Sequence, residues 1–193
     1  QIKPGLPNMP IRVFGPPPTS GTRDAFVELV MFTGCETFGL MDSSKASMTK
    51  DAYEKFRKEK CGRMRQDGPF IEAGENDNVI VARLETDSTA FGIFGYSFLH
   101  ENADKLKAVA INGVKPEEET IASFEYPVSR PLYFYVKNDH RKIVPGLDEF
   151  VKVLVSDDSI GADGFNVERG LTPLAPNVLK KWREVAEKGY VLK

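Results

Sequence analysis

The stretch that decides the fold is residues 11–26, which read IRVFGPPPTSGTRDAF. Its first four residues predict a short strand, and the glycine and three prolines that follow predict a rigid loop. Residues 19–22 then lead into a helix, because Phe26, Leu29, Val30 and Thr33 share one face at helical spacing. Gly34 is expected to end that helix. The sequence therefore predicts a strand that passes through a tight loop directly into a helix.

Outward from this stretch, strand-like and helix-like segments alternate. Residues 1–10 predict an extended, proline-rich linker, and residues 35–48 predict a loop. Helices are predicted from about residue 49 to the Asp67-Gly68-Pro69 stop and at 79–85, 99–106, 116–123, 146–155 and 177–188, and strands at 92–98, 108–111 and 130–137. Such alternation indicates an α/β sandwich with a central sheet flanked by helices.

The composition is that of an ordinary globular protein, with 41% hydrophobic and 28% charged residues. The formal net charge is −2 and no basic block occurs, so nucleic-acid binding has little support. No run of about 18 apolar residues is present, so no membrane span is expected. Neither a starting Met nor an apolar leader is visible, so we expect either that a leader was removed or that the chain was cut from a longer protein.

The sharpest chemical signal is the run of Thr19, Ser20, Gly21, Thr22 and Arg23 at the predicted strand-to-helix junction. The first N–H groups of a helix have no partners within it, and together with the helix dipole they form a small anion site. The glycine lets an anion approach the backbone closely. The three hydroxyls add donors, and the guanidinium adds a fork of N–H groups. These five residues are therefore the candidate oxyanion-binding site.

A simpler interpretation of the same run is helix capping. Ser and Thr before a helix are usually N-caps, and Arg23 could equally face solvent. The acidic cluster of Glu72, Glu75 and Asp77 has a similar ambiguity, because it can cap the next helix or accept a proton from a ligand. From spacing alone, capping is the favoured role of both segments.

Signs of enzymatic chemistry are scarce in the sequence. No nucleophile elbow, P-loop or dinucleotide fingerprint is present. His100 and His140 are far apart and have no companion pattern, so we expect structural or surface roles for both. The sequence predicts no catalytic residue, no metal site and no cofactor.

The two cysteines, Cys35 and Cys61, have a spacing that fits no zinc or redox motif. Two buried free thiols are expected in a reducing compartment, and a disulfide is possible in an oxidising one. Composition alone leaves both alternatives open.

Four segments resemble, in the same order, the periplasmic phosphate-binding proteins of the type II solute-binding family. In that family a Ser-Gly-Thr follows a strand and opens a helix, as residues 20–22 are predicted to do. The matching segments are residues 6–11 leading to 19–26, residues 79–98 with Phe-Gly-Ile-Phe-Gly-Tyr at 91–96, residues 111–116 and residues 126–133. Each motif alone is weak, and their common order carries the resemblance.

The resemblance implies a periplasmic-binding-protein-like three-layer α/β sandwich with a mixed central sheet flanked by helices. Residues 1–125 would form the second of two lobes, including the oxyanion-binding loop. Residues 126–193 would return to the first lobe, whose N-terminal portion is missing from this chain. Inorganic phosphate would then bind between the lobes, with residues 19–23 among its ligands.

The same resemblance implies a protein that binds and does not turn over its ligand. Its partner would be the membrane permease of an ABC transporter, and its location would be the periplasm. Because that compartment is oxidising, the family setting favours a disulfide between Cys35 and Cys61.

One departure from the family pattern concerns the charge at the site. The family often has an Arg four residues before the Ser of Ser-Gly-Thr, where this sequence has Pro16. A neutral proline cannot replace a guanidinium, so we expect Arg23 or Arg12 to supply the charge. Another oxyanion (sulfate or molybdate) and a ligand-sensing module therefore stay as alternatives, and an extracytoplasmic phosphatase is a less favoured one.

Overall fold

The computed structural model describes residues 5–39 and 41–191, which belong to two compact units. Unit 1 runs to Lys107 and unit 2 begins at Ala108. Residues 1–4 of the predicted linker lie outside the described residues, and residues 5–10 are exposed and contain no helix or strand. A bilayer crossing would need a longer and more apolar helix than any in the described part of the chain.

Unit 1 is built on a sheet of three parallel strands. The strands are β1 (Val13–Gly15), β2 (Phe70–Glu72) and β3 (Phe91–Gly92), in the order β2-β1-β3. The central strand pairs Val13 with Phe70 on one side and with Phe91 on the other. Parallel neighbours need crossover connections, and helices supply them here. The α/β class and the strand before the candidate loop are confirmed, whereas β2 was not predicted.

The helix after β1 is longer than predicted. It consists of α1 (Gly21–Phe26), a π-helical segment (Val27–Phe32) and α2 (Thr33–Thr37), which follow one another in right-handed helical conformation. Gly34 does not end it, because a helix interior tolerates glycine at a modest cost. The chain leaves the helix at Gly39, whose φ of 64° is readily accessible to glycine.

The π-helical segment also changes which side chains face inward. A π-helical turn holds more residues than an α-helical one, so the predicted face is displaced. Phe32 is buried and Thr33 is exposed, the reverse of the expectation from α-helical spacing.

The next helices of unit 1 are α3 (Asp42–Ser47) and α4 (Lys50–Cys61), and a disulfide joins the end of the first helix to α4. Cys35 and Cys61 form a disulfide, which confirms the expectation from the family setting. The cluster of buried side chains around it consists of Phe32, Met41, Tyr53 and Cys61.

The loop predicted at 35–48 is wrong, because that stretch contains the end of α2 and the whole of α3. Met41, just before α3, is buried in the disulfide cluster and anchors the segment there. The predicted start of α4 is confirmed, since the Thr49 hydroxyl accepts a hydrogen bond from Ala52 N. The helix ends at Cys61, before the predicted Asp67-Gly68-Pro69 stop.

The last helices of unit 1 are α5 (Asp77–Thr86) and α6 (Tyr96–Glu101). The predicted helix at 79–85 is confirmed, with Ile80 and Val81 buried. The strand predicted at 92–98 is wrong beyond Gly92, because residues from Tyr96 onward form α6. An apolar run of this length fits a packed helix as well as a strand.

Unit 2 is helical in its described part. Its helices are α7 (Glu118–Ala122), a 3-10 segment (Asn138–Lys142), α8 (Leu147–Leu154), α9 (Asp157–Ile160) and α10 (Pro176–Lys188). Val151, Val155 and Leu179 are buried. The predicted helices at 116–123, 146–155 and 177–188 are confirmed.

The predictions of strands at 108–111 and 130–137, in unit 2, are wrong for the described chain. Residues 108–111 contribute one antiparallel bridge, between Ile111 and Val114, around the predicted Asn112-Gly113 turn. Residues 130–137 are assigned to neither helix nor strand, and their apolar side chains are largely exposed.

Candidate oxyanion-binding site

The candidate site lies at the carboxyl end of the central strand. β1 ends at Gly15, and residues 16–20 carry the chain to the start of α1. The carboxyl ends of β2 and β3 border the same edge of the sheet, because all three strands are parallel. Ligands of open α/β sheets bind at this edge.

Ser20 is the N-cap of α1. Its backbone is extended (φ −86°, ψ 130°), and its Oγ accepts a hydrogen bond from Thr22 N at 3.2 Å. The capping interpretation of the sequence therefore holds for Ser20 in this structure. Gly21 and Thr22 follow as the first residues of the helix, where backbone N–H groups and the helix dipole favour an anion.

Arg23 does not face solvent, since its side chain is only 15% exposed. Its Nη1 donates to Glu72 Oε1 at 2.7 Å and to the Pro16 carbonyl at 3.4 Å. The guanidinium also lies over the ring of Phe70, 5.4 Å from the centroid, in a cation–π arrangement. Arg23 therefore joins the first helical turn to β2 and to the loop after β1.

Thr19 is exposed, and its hydroxyl donates to Glu75 Oε1. Glu75 lies in the loop after β2, so this hydrogen bond joins the two loops that follow β1 and β2. The candidate loop is thus connected to the acidic cluster of Glu72, Glu75 and Asp77, which runs from the end of β2 to the start of α5.

Asp77 connects the same region to the loop after β3. It is the first residue of α5 and is only 8% exposed, and its Oδ2 accepts a hydrogen bond from Gly95 N at 3.2 Å. Burial raises the pKa of Asp77, and the Gly95 hydrogen bond opposes that shift less strongly. The N-cap of α5 is its neighbour Asn76, whose Oδ1 accepts from Asn78 N at 3.0 Å.

Arg12 is not a member of the candidate site. It precedes β1, and its Nη2 contacts Asp87 Oδ2 at 2.8 Å and Thr89 Oγ1 at 3.3 Å. Of the two arginines expected to supply the charge, Arg12 is therefore wrong for this structure. Pro16, at the position in question, is fully buried, and its carbonyl helps to hold Arg23.

The histidines lie in different units, and both are exposed. His100 is in α6, where its ring is 6.1 Å from that of Tyr96, and His140 is in the 3-10 segment. Within residues 5–39 and 41–191, no group of three or more His, Cys, Asp or Glu side chains is arranged to hold a metal ion.

The sequence did not predict three connections at this edge of the sheet. One is the Thr19–Glu75 hydrogen bond, which joins residues 56 positions apart. The Arg23–Glu72 ion pair joins residues 49 positions apart, and the Asp77–Gly95 hydrogen bond joins residues 18 positions apart. The acidic cluster was a signal for all three, but the partner of each carboxylate depends on which strands are neighbours. That order is a tertiary property.

This chain is similar to a known protein family and to several individual proteins. The PBP superfamily domain matches residues 1–158. Protein SphX of Synechococcus elongatus is 30% identical over 148 residues, which cover 74% of this chain and 35% of that protein. The phosphate-binding protein PstS of Staphylococcus saprophyticus is 28% identical over 167 residues, 84% of this chain and 42% of that protein. No solved structure matches the chain significantly.

The chain belongs to the PBP superfamily, because that domain matches most of its length. The resemblance to phosphate-binding proteins that the sequence motifs indicated is confirmed by the relatives of that name, among them PstS of Staphylococcus haemolyticus, which is 37% identical over 97 residues covering 48% of this chain and 31% of that protein. The chain spans between 31% and 42% of the length of these relatives.

Proposed function

We propose that this chain forms the oxyanion-binding part of an extracytoplasmic protein that captures inorganic phosphate and delivers it to the membrane permease of an ABC transporter. One observation carries the proposal: the Thr19–Arg23 run begins a helix at the carboxyl end of the central strand. Relatives named phosphate-binding proteins support the choice of phosphate as the ligand.

Each residue of the run has a distinct task in this proposal. Gly21 and Thr22 present the positive end of the helix dipole and allow close approach of a tetrahedral anion. The hydroxyls of Thr19 and Thr22 add neutral donors, and Ser20 holds the start of the helix in place. Arg23 supplies the positive charge, with further guanidinium donors besides the Nη1 that contacts Glu72 and Pro16.

The proposed protein binds phosphate without turnover and needs no cofactor. Its relatives are named as binding proteins, which supports this class of function over a hydrolase. A phosphatase would need a nucleophile or a metal beside the bound anion. The candidate loop offers donors to an anion, as a binding role requires.

Residues 126–193 are proposed to pack with a first lobe supplied by the rest of the protein. The supporting observation is the exposed apolar segment Leu132–Tyr135, which reads as a strand in sequence and has no strand partner in the described chain. The boundary proposed at 125/126 lies within unit 2, which begins at Ala108.

The experiment that tests the proposed function is calorimetric titration of the full-length protein with phosphate, with sulfate and molybdate as competing candidates. We expect phosphate to bind with a Kd below about 1 μM and sulfate to bind far more weakly. If sulfate or molybdate binds more tightly than phosphate, the proposed site stands but its ligand is the other oxyanion. Absence of binding of all three anions would contradict the proposal and favour a ligand-sensing or interaction role.

A further inference from the structure

The donors of the candidate site are held by this chain's own carboxylates. Thr19 Oγ1 donates to Glu75, and Arg23 Nη1 donates to Glu72 at 2.7 Å. Both donors follow β1, whereas both carboxylates lie at the carboxyl end of β2 or in the loop after it. Two separate contacts therefore place an anionic oxygen on a donor that a bound oxyanion would need.

A carboxylate and a phosphate compete for the same kind of donor, because both present negatively charged acceptor oxygens. An anion that takes the Thr19 hydroxyl must displace the Glu75 oxygen or lie beside its charge. The same holds for Arg23 and Glu72. Like charges a few ångströms apart repel strongly, and salt screens that repulsion least where the groups are partly buried. In the Arg23–Glu72 pair the guanidinium side chain is 15% exposed and the carboxylate side chain is 50% exposed, so solvent screens the Glu72 charge only in part.

We propose that Glu72 and Glu75 act as internal anions that compete with the ligand for Arg23 and Thr19 and thereby set the affinity of the site. This inference rests on the proposed function, because it presumes that an oxyanion binds at the candidate loop. The two glutamates are affinity-determining residues in this arrangement. They hold the donors in place in the free protein and give them up when the ligand enters.

The test replaces each carboxylate by its neutral isostere. Glu72→Gln and Glu75→Gln keep the size of the side chain and an acceptor oxygen but remove the charge. We expect each variant to bind phosphate at least about tenfold more tightly in calorimetry, a change of about 1.4 kcal/mol. The matched control is Glu85→Gln, which removes an equal charge from the exposed face of α5, where Glu85 pairs with Lys105 at 2.9 Å. The control is expected to leave phosphate affinity unchanged.

A double-mutant cycle tests whether the gain arises from the proposed competition. Thr19→Val removes the donor that Glu75 occupies, so the gain from Glu75→Gln should disappear in the Thr19→Val background. A gain that persists there in full, or a gain equal to that of Glu85→Gln, would overturn the inference.

The outcomes separate this inference from the proposed function. If the wild type binds phosphate and both glutamine variants bind it equally or more weakly, the competition is overturned and the function stands. If neither the wild type nor the variants bind phosphate, sulfate or molybdate, the proposed function fails and the inference fails with it.

Discussion

Arg23 connects three segments of unit 1 through one side chain. It reaches Glu72 at the end of β2, the Pro16 carbonyl after β1 and the ring of Phe70. A fixed, partly buried guanidinium is a stronger anion partner than a fully solvated one, because its conformational freedom is already restricted. The same contacts mean that its removal affects both the ligand and the local structure.

The first prediction concerns direct ligand contacts. We expect Thr22→Ala and Arg23→Ala each to weaken phosphate binding by the full-length protein at least about tenfold, or about 1.4 kcal/mol. Thr22→Ser keeps the hydroxyl and should retain most of the affinity. Arg23→Lys keeps the charge but loses the planar fork, and it should give an intermediate loss. Unchanged affinity in both alanine variants, measured by calorimetry, would place the binding site elsewhere.

Asp77 is the second residue whose environment has a measurable consequence. Burial raises its pKa above the ordinary value near 3.8. The folded protein therefore keeps the Asp77 proton to a higher pH than the unfolded chain does. Since the folded state binds more protons in that interval, the contribution of Asp77 to stability falls as pH rises from the ordinary pKa to the raised one.

The second prediction follows from this sign. Asp77→Asn has no titrating proton but can still accept a hydrogen bond from Gly95 N. Its free energy of unfolding, relative to that of the wild type, should therefore rise with pH between the ordinary and the raised pKa of Asp77. Above the raised pKa the difference should stay constant. Urea denaturation between about pH 3.5 and 7 measures the difference. Asp163→Asn, an exposed aspartate of unit 2, is the control. Parallel curves for wild type and Asp77→Asn would contradict the raised pKa.

At the scale of elements, the disulfide fixes the far end of the helix that begins at the candidate loop. Cys35 lies in α2 and Cys61 ends α4, 26 positions further along the sequence. The bond therefore holds α2 against α4 while the π-helical segment lies between α2 and the site.

The third prediction is the stability that this cross-link provides. In the chain-entropy model, a loop of this size contributes about 3–4 kcal/mol. We expect Cys35→Ala/Cys61→Ala to lose about that amount in urea denaturation, and the wild type to lose a similar amount on reduction. Reductant should have no further effect on the double variant. Recovery of Cys35 and Cys61 as alkylated thiols from the native, unreduced protein would show that no such bond exists.

The packing of β3 on α5 depends on the absence of a side chain at Gly92. A Cβ there would lie 2.6 Å from Leu84 Cδ1 and 3.1 Å from Ile80 Cγ2, and both are side chains of α5. Gly34 offers a contrast within the same unit, since a Cβ there would have no neighbour within 4 Å.

The fourth prediction compares these two glycines. Gly92→Ala should destabilise the protein by about 1–3 kcal/mol, because side chains of α5 must move to make room. Gly34→Ala should stabilise it by about 0.4–1 kcal/mol, because a helical glycine is replaced without a clash. Chemical denaturation of both variants measures the two changes. Equal effects would mean that the close approach at Gly92 does not limit packing.

At the scale of the whole molecule, unit 2 presents an apolar segment that unit 2 itself does not cover. Leu132 is 75% exposed, Tyr133 64% and Tyr135 79%. Within the described residues, no backbone hydrogen bond pairs residues 131–136 with another segment. Several adjacent exposed aromatics of this kind mark an interaction surface, and unpaired extended backbone accepts a further strand.

The fifth prediction tests the proposed first lobe at this segment. In the isolated 193-residue chain, amides of residues 132–136 should exchange hydrogen rapidly. In the full-length protein they should exchange at least about tenfold more slowly, because strand pairing would protect them. Amides of α5 serve as the internal reference in both samples. Equal exchange at 132–136 in the two samples would contradict the proposed packing.

The sequence by itself determined those features that depend on neighbours along the chain. The strand-loop-helix around residues 13–26, the cap at Thr49, the turn at Asn112-Gly113 and the helices at 147–154 and 176–188 all follow from local propensity, capping and side-chain period. The ordered motifs were also sufficient to indicate the family. These features can be predicted from the sequence because the interacting groups lie only a few residues apart in the chain.

Only the tertiary structure decided the features whose partners are distant in sequence. The order β2-β1-β3 brings Glu72 to Arg23 and Asp77 to Gly95, and burial of Met41 in the disulfide cluster anchors a segment that reads as a loop. The apolar runs at 92–98 and 130–137 show the same limit, since the first ends in the first turn of α6 and the second lacks a strand partner in the described chain. An apolar run indicates a segment that favours burial, but only the neighbouring elements decide its conformation and its packing partner.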